Sequence, residues 1–170
     1  MFFGLFNKKS KSAPPEEYLE NSLGKFLKYP YGTGHTRYES EISWPDNTNS
    51  VEANVICKND DSQNTDDNFK YLQKIIDNSA SLDEELKSYI TENQCEDDGL
   101  VYIWGGVEDD GEPDPISCDE FRSRLHLSYI RIYEDATSEF VFPADGLYTD
   151  HDLVVRAEND LTFTECVLEG

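Results

Sequence analysis

The last third of the chain constrains the fold most. Four short runs, "LHLSYIRIYE" (125–134), "EFVFP" (139–143), "DLVVRA" (152–157) and "LTFTECVLE" (161–169), follow one another closely. Each is rich in β-branched or aromatic residues, and turn formers separate them, with "ADG" and "END" among the connections. Such runs with such gaps predict a C-terminal antiparallel meander.

Upstream, "YESEISW" (38–44) and "SVEANVICK" (50–58) alternate with period two, placing Tyr38, Ile42 and Trp44 on one face and Val51, Ala53, Val55 and Cys57 on one face. "PDNTN" between them predicts the turn of a hairpin. Phe69, Leu72, Ile75 and Ile76 then make one helical stripe, and Leu82, Leu86, Tyr89 and Ile90 make another. Ser81 with Glu84 reads as a capping box for the second helix. Ser117 with Glu120, flanked by Ile116 and Phe121, reads as a capping box and hydrophobic staple for a short third helix that gives way near Leu125.

Three further expectations complete the layout. Pro15–Lys28 reads as a helix, opened by Pro14 and Pro15, with Leu19, Leu23, Phe26 and Leu27 on one face. "KNDDSQNTDDN" (58–68) reads as an acidic loop, and "LVYIW" (100–104) as a strand followed by the loop "GGVEDDGEPDP". The sum is an α+β fold: an antiparallel sheet, made of an N-terminal hairpin and the C-terminal meander, packed with two to four helices. The 170 residues divide into a flexible arm over 1–14 and a single domain over 15–170.

Charge narrows the function. The formal net charge is −22, and residues 38–170 carry eight Lys/Arg against 33 Asp/Glu, a net −25. A field of that sign repels phosphate, which argues against nucleic acid and anionic membrane. Between Lys87 and Arg122 there are eleven acids and no Lys or Arg. Inside that window lie Glu96, Asp97, Asp98, Tyr102, Trp104, Glu108, Asp109, Asp110, Glu112 and Asp114. Acids that steer a cationic partner and aromatics that anchor it are the composition of a protein-binding surface, so these ten are the candidate partner-binding residues.

The chain carries no G-x-S-x-G, H-E-x-x-H, P-loop or kinase pattern, and "GTGHTR" (32–37) precedes a strand where a dinucleotide fingerprint follows one. The expectation is a non-enzymatic protein with no cofactor and no catalytic residue. Two alternatives stand beside it. The carboxylates of "NDDSQNTDD" (59–67) and "VEDDGEPD" (107–114), with His151 of "DHD" or His126, offer a divalent-metal or hydrolase-like site, although neither loop fits the EF-hand spacing. A structural or adaptor domain is the other, its arm "MFFGLFNKKSKS" touching a membrane through phenylalanines beside lysines. No run approaches the length of a membrane span, and the arm lacks a secretory pattern. Cys57, Cys95, Cys118 and Cys166 show no C-x-x-C spacing, which reads as reduced cysteines in a cytoplasmic protein.

The pieces "DEFRSRLHLSYIRIYED" (119–135), "GLYTDHDLVVRAEND" (146–160) and the terminal "CVLEG" resemble a bacterial domain family of unknown function whose closing strand reads like F-W-G-H-x-I-x-V. The resemblance extends over residues 36–170 and makes His151 the family histidine, with "YTD" where the family has aromatic, tryptophan and glycine. It implies the antiparallel fold and carries no activity. In size and acidity the chain is also similar to the immunity proteins encoded beside bacterial polymorphic toxins. That likeness implies a basic toxin as partner.

Overall fold

The structure is a computed structural model and describes residues 16–45, 50–103, 113–143, 146–148 and 151–170. The arm over 1–14, the "PDNTN" turn beyond Pro45, Trp104 to Glu112, and Asp150 of "DHD" lie outside them.

Two meanders form one sheet. The first runs β1 (Glu17–Asn21), β2 (Gly24–Tyr31), β3 (His35–Ile42) and β4 (Val51–Lys58). The second runs β7 (Tyr129–Ile132), β8 (Ser138–Phe142), β9 (Asp152–Ala157) and β10 (Phe163–Glu169). They join edge to edge where β4 pairs with β7, giving the order β1-β2-β3-β4-β7-β8-β9-β10. Every pair in this sheet is antiparallel except β4–β7, which is parallel. A parallel pair needs a long crossover. Here it consists of α1 (Ser62–Asp77), α2 (Ser79–Gln94), the ribbon β5 (Leu100–Ile103) and β6 (Asp114–Ser117), and α3 (Cys118–Arg124).

The hairpin, both helical stripes, the α3 cap and the last three strands stand as the periodicities imply. Val51, Ala53, Val55 and Cys57 are fully buried on one face of β4, in one core with Leu72 and Ile75 of α1 and Leu86 and Ile90 of α2. Ser117 Oγ accepts the Glu120 N–H at 3.1 Å, and α3 stops at Leu125. Buried Asn68 seats α1: its amide donates to the Ile56 and Tyr133 carbonyls, both at 2.9 Å.

Four expectations are corrected. The helix over Pro15–Lys28 is the β1–β2 hairpin. Leu19 and Phe26 fall at i and i+7, which also makes them cross-strand partners around a tight turn. Asn21 Oδ1 accepts the Leu23 N–H, and Gly24 takes φ +128°, a conformation an L side chain resists, so the turn prevails over the helix. The acidic loop of 58–68 is largely helix: Asp61 caps α1 by accepting the Asn64 N–H at 2.9 Å. α2 begins at Ser79 and not at a Ser81 capping box; Ser81 Oγ bonds back to the Asn78 carbonyl. Within "LHLSYIRIYE" only Tyr129–Ile132 is strand.

The face of the sheet turned away from the helices carries a row of alternating charge. Arg131 stands opposite Glu139, Glu139 opposite Arg156, and Arg156 opposite Glu165. Glu139 is 7% exposed and accepts from Arg131 at 2.9 Å, Arg156 at 3.2 Å and the Tyr133 hydroxyl at 2.8 Å. Arg156 reaches on to Glu165 and Glu169. The row uses two of the eight cations of residues 38–170.

Candidate functional site

The acidic window is built outside the main sheet. α2 ends at Gln94, and the chain turns through Glu96, Asp97, Asp98 and Gly99 into β5. The Glu96 carbonyl accepts the Gly99 N–H at 2.9 Å, and the Glu96 N–H donates to the Leu100 carbonyl at 2.9 Å. Gly99 sits at φ +78°, where glycine relieves the clash that a Cβ would make with the backbone. The turn leaves all three carboxylate residues exposed.

β5 alternates from there. Val101 and Ile103 are buried toward the core, and Tyr102 points outward at 39% exposure. The Tyr102 hydroxyl donates to Asp98 Oδ2 at 2.9 Å. That bond, with the charges of Asp98 and Glu96, pushes the phenol above its ordinary pKa, so it stays a donor at neutral pH. Glu96, Asp97, Asp98 and Tyr102 therefore form one patch. Asp114 does not join it: it is opposite Ile103, on the core-side face of the ribbon, though itself exposed. Trp104, Glu108, Asp109, Asp110 and Glu112 lie outside the described residues.

A neighbouring face went unread in the sequence. Glu85, Ser88, Tyr89 and Glu92 follow at i, i+3, i+4 and i+7 on α2, on the flank of the Leu82, Leu86 and Ile90 stripe, with Tyr89 shared between the two. They line a groove of about 390 Å³ with Phe163 of β10, whose ring lies 5.2 Å from that of Tyr89. The groove already holds a cation of the chain itself. Arg122 donates to Ser88 Oγ and to Glu84 Oε2, both at 2.8 Å. The signal was present as a second helical period of polar residues beneath the apolar one. A groove of about 970 Å³ lies elsewhere, between β1–β3 and the start of α1, with Lys28 and Lys58 beside Asp60 and Asp61.

The cysteine expectation is also corrected. Cys95, at the end of α2, and Cys118, at the start of α3, form a disulfide with Cα atoms 6.0 Å apart. A separation of 23 residues hid the pair, since the fold and not local spacing brings α2 and α3 together. Cys57 and Cys166 are free thiols, and burial pushes each up to about 11.

The described residues of the metal alternative are dispersed, and most of "VEDDGEPD" lies outside them. "NDDSQNTDD" enters α1, with Asp61 as its cap and Asp67 paired with Lys70 at 3.0 Å. His151 is exposed ahead of β9, and the His126 ring lies 3.2 Å from the Arg124 carbonyl. Among the described residues no three His, Cys, Asp or Glu side chains are grouped to hold a metal ion, and no helix is long and apolar enough to cross a membrane.

These features define a small α+β domain with an acidic ribbon appended to its sheet. The chain belongs to the bacterial family described as "Uncharacterized protein conserved in bacteria (DUF2262)", whose model matches residues 20–167. No curated protein and no solved structure matches it significantly.

Proposed function

We propose that this protein is a non-enzymatic acidic binding protein, and most concretely an immunity-type protein that neutralises a basic bacterial toxin in the cytoplasm. One observation carries the reading: a tight turn presents Glu96, Asp97 and Asp98 beside outward-facing Tyr102, in a chain of net charge −22. Exposed like charge of this density raises the rate of encounter with a cationic surface. A tyrosine tethered at its hydroxyl loses little freedom on contact, which suits an interface anchor. The groove on α2 adds further acids, Glu84, Glu85 and Glu92, and the hold of Glu84 on Arg122 supports a preference for guanidinium groups.

The test is capture of partners by the protein, washed at ~50 mM and then ~500 mM salt, over which the Debye length shortens severalfold. A cationic protein, foremost one encoded nearby, is expected to be held at the lower salt and released at the higher. It is expected to be lost when Glu96, Asp97 and Asp98 become amides and Tyr102 becomes alanine. No cationic partner at either salt contradicts the proposal.

A further inference from the structure

We propose that the helix-free face of the sheet binds a second copy of this chain, face to face, about a two-fold axis. The acidic patch plays no part in it. Beside the charged row Arg131–Glu139–Arg156–Glu165 runs a second row, Tyr129–Val141–Val154–Val167, set by the same registers of β7 to β10. Residues two apart on a strand share a face, so both rows lie on the side turned away from the helices. Val154 is 3% exposed, and Tyr129, Val141 and Val167 are half-buried. Four apolar side chains in line stand out on a chain of net charge −22, and an uncovered apolar patch marks a contact surface.

The symmetry of the rows selects the occupant. A two-fold axis running along the strands between β8 and β9 exchanges β7 with β10 and β8 with β9, and keeps each residue at its own level. Val141 then faces Val154 of the second copy, and Tyr129 faces Val167. Arg131 faces Glu165, and Glu139 faces Arg156. Apolar meets apolar, and every charge of the row meets its opposite. Asp152 and Glu169, at the next level of β9 and β10, meet no carboxylate of β7 or β8 there. Aligned sheets pack about 10 Å apart at about −30°. With strands ~4.8 Å apart, that angle offsets the outer pair, Arg131 and Glu165, by about 4 Å, within reach of an arginine side chain. Each carboxylate can accept from its own row and from the facing arginine at once. Four strands make a small footprint, so the association is weak and reversible. The net charge of −22 repels a second copy at long range, so association strengthens as salt screens it. That sign is opposite to the one expected for capture of a cationic partner.

Sedimentation equilibrium from micromolar to millimolar protein, at ~50 mM and ~500 mM salt, tests this. A monomer of 19.5 kDa is expected at the lower salt and a species of twice that mass at the higher, with the dissociation constant falling by about tenfold or more. Val167→Lys puts an ammonium into the apolar row on edge strand β10 and should weaken the dimer by about tenfold or more. Ala80→Lys adds the same charge on α2, off the face, and should not weaken it. Glu165→Arg sets an arginine against Arg131 of the second copy and should weaken the dimer although it lowers the net charge; thermal melts check that each variant is folded, and the Glu165→Arg result decides if Val167→Lys is not. A monomer at every salt and concentration overturns the inference and leaves the face to a different partner. A dimer that loosens as salt rises, or that the folded Val167→Lys and Glu165→Arg variants leave intact, also overturns it.

Discussion

Asp83 holds α2, and so the acidic surface, against the sheet. It is 2% exposed. Its Oδ1 accepts the Trp44 indole N–H at 2.8 Å, and its Oδ2 lies 2.7 Å from the Lys87 ammonium. The Lys87 side chain is itself only 13% exposed. In Asp83→Ala the carboxylate is gone while a covered ammonium and a buried indole N–H remain. Breaking a buried pair from one side costs about 3–5 kcal/mol. Lys87 can lean partway to solvent, so a loss of about 3 kcal/mol is expected. At about 2–4 °C per kcal/mol for a chain of this size, Tm should fall by about 6–12 °C. Asp83→Asn keeps an acceptor for Trp44 and should lose less. Asp83→Leu with Lys87→Met removes both charges together, and well-packed apolar replacements of buried pairs are often near neutral. Urea unfolding followed by circular dichroism and tryptophan fluorescence measures all three. The reasoning is refuted if Asp83→Ala stays within about 0.5 kcal/mol of the parent, a surface-like effect, or if the double variant is no more stable than the single one.

Other predictions concern the open face, the turn and the thiols. Glu139→Gln should cost about 1–2 kcal/mol, discounted because Arg131 and Arg156 are each about one-third exposed; an unchanged denaturation midpoint would contradict the charged row. Gly99→Ala should cost about 1 kcal/mol or more, since φ is +78° there; a Tm equal to the parent's would show that the turn relaxes at no cost. Burial raises Cys57 and Cys166 from 9.0 to about 11, and Tyr148 from 10.0 to about 12. The unfolded chain loses these protons first, so stability is full below about pH 9 and falls as pH rises through 9–12. Thermal melts across that range check the sign, and alkylation of half-buried Cys166 should be slow at pH 8 and quicken toward pH 11.

Local pattern made much of this fold legible. The alternation at Val51–Cys57, the stripes at Phe69–Ile75 and Leu82–Ile90, and the Ser117 cap each follow from one segment's own geometry. Where two geometries share a spacing, the pattern failed. Leu19 and Phe26 satisfy a helix face and a hairpin register alike, and the turn chemistry of Asn21 and Gly24 decided between them. Non-local pairings had no signal at all. The parallel β4–β7 pair and the Cys95–Cys118 bond depend on how the crossover folds back. The site divides the same way. The Glu96–Gly99 turn and outward Tyr102 follow from composition and alternation, whereas the α2 groove needed Phe163 and Arg122 delivered from distant segments.

The most direct test of the central claim is the affinity of a captured partner measured against salt concentration. The parent is compared with the variant carrying Glu96→Gln, Asp97→Asn, Asp98→Asn and Tyr102→Ala. Electrostatic docking at this patch predicts an affinity that falls steeply with salt in the parent, and a weaker, flatter dependence in the variant. Equal affinity and equal salt dependence in the two proteins would contradict it.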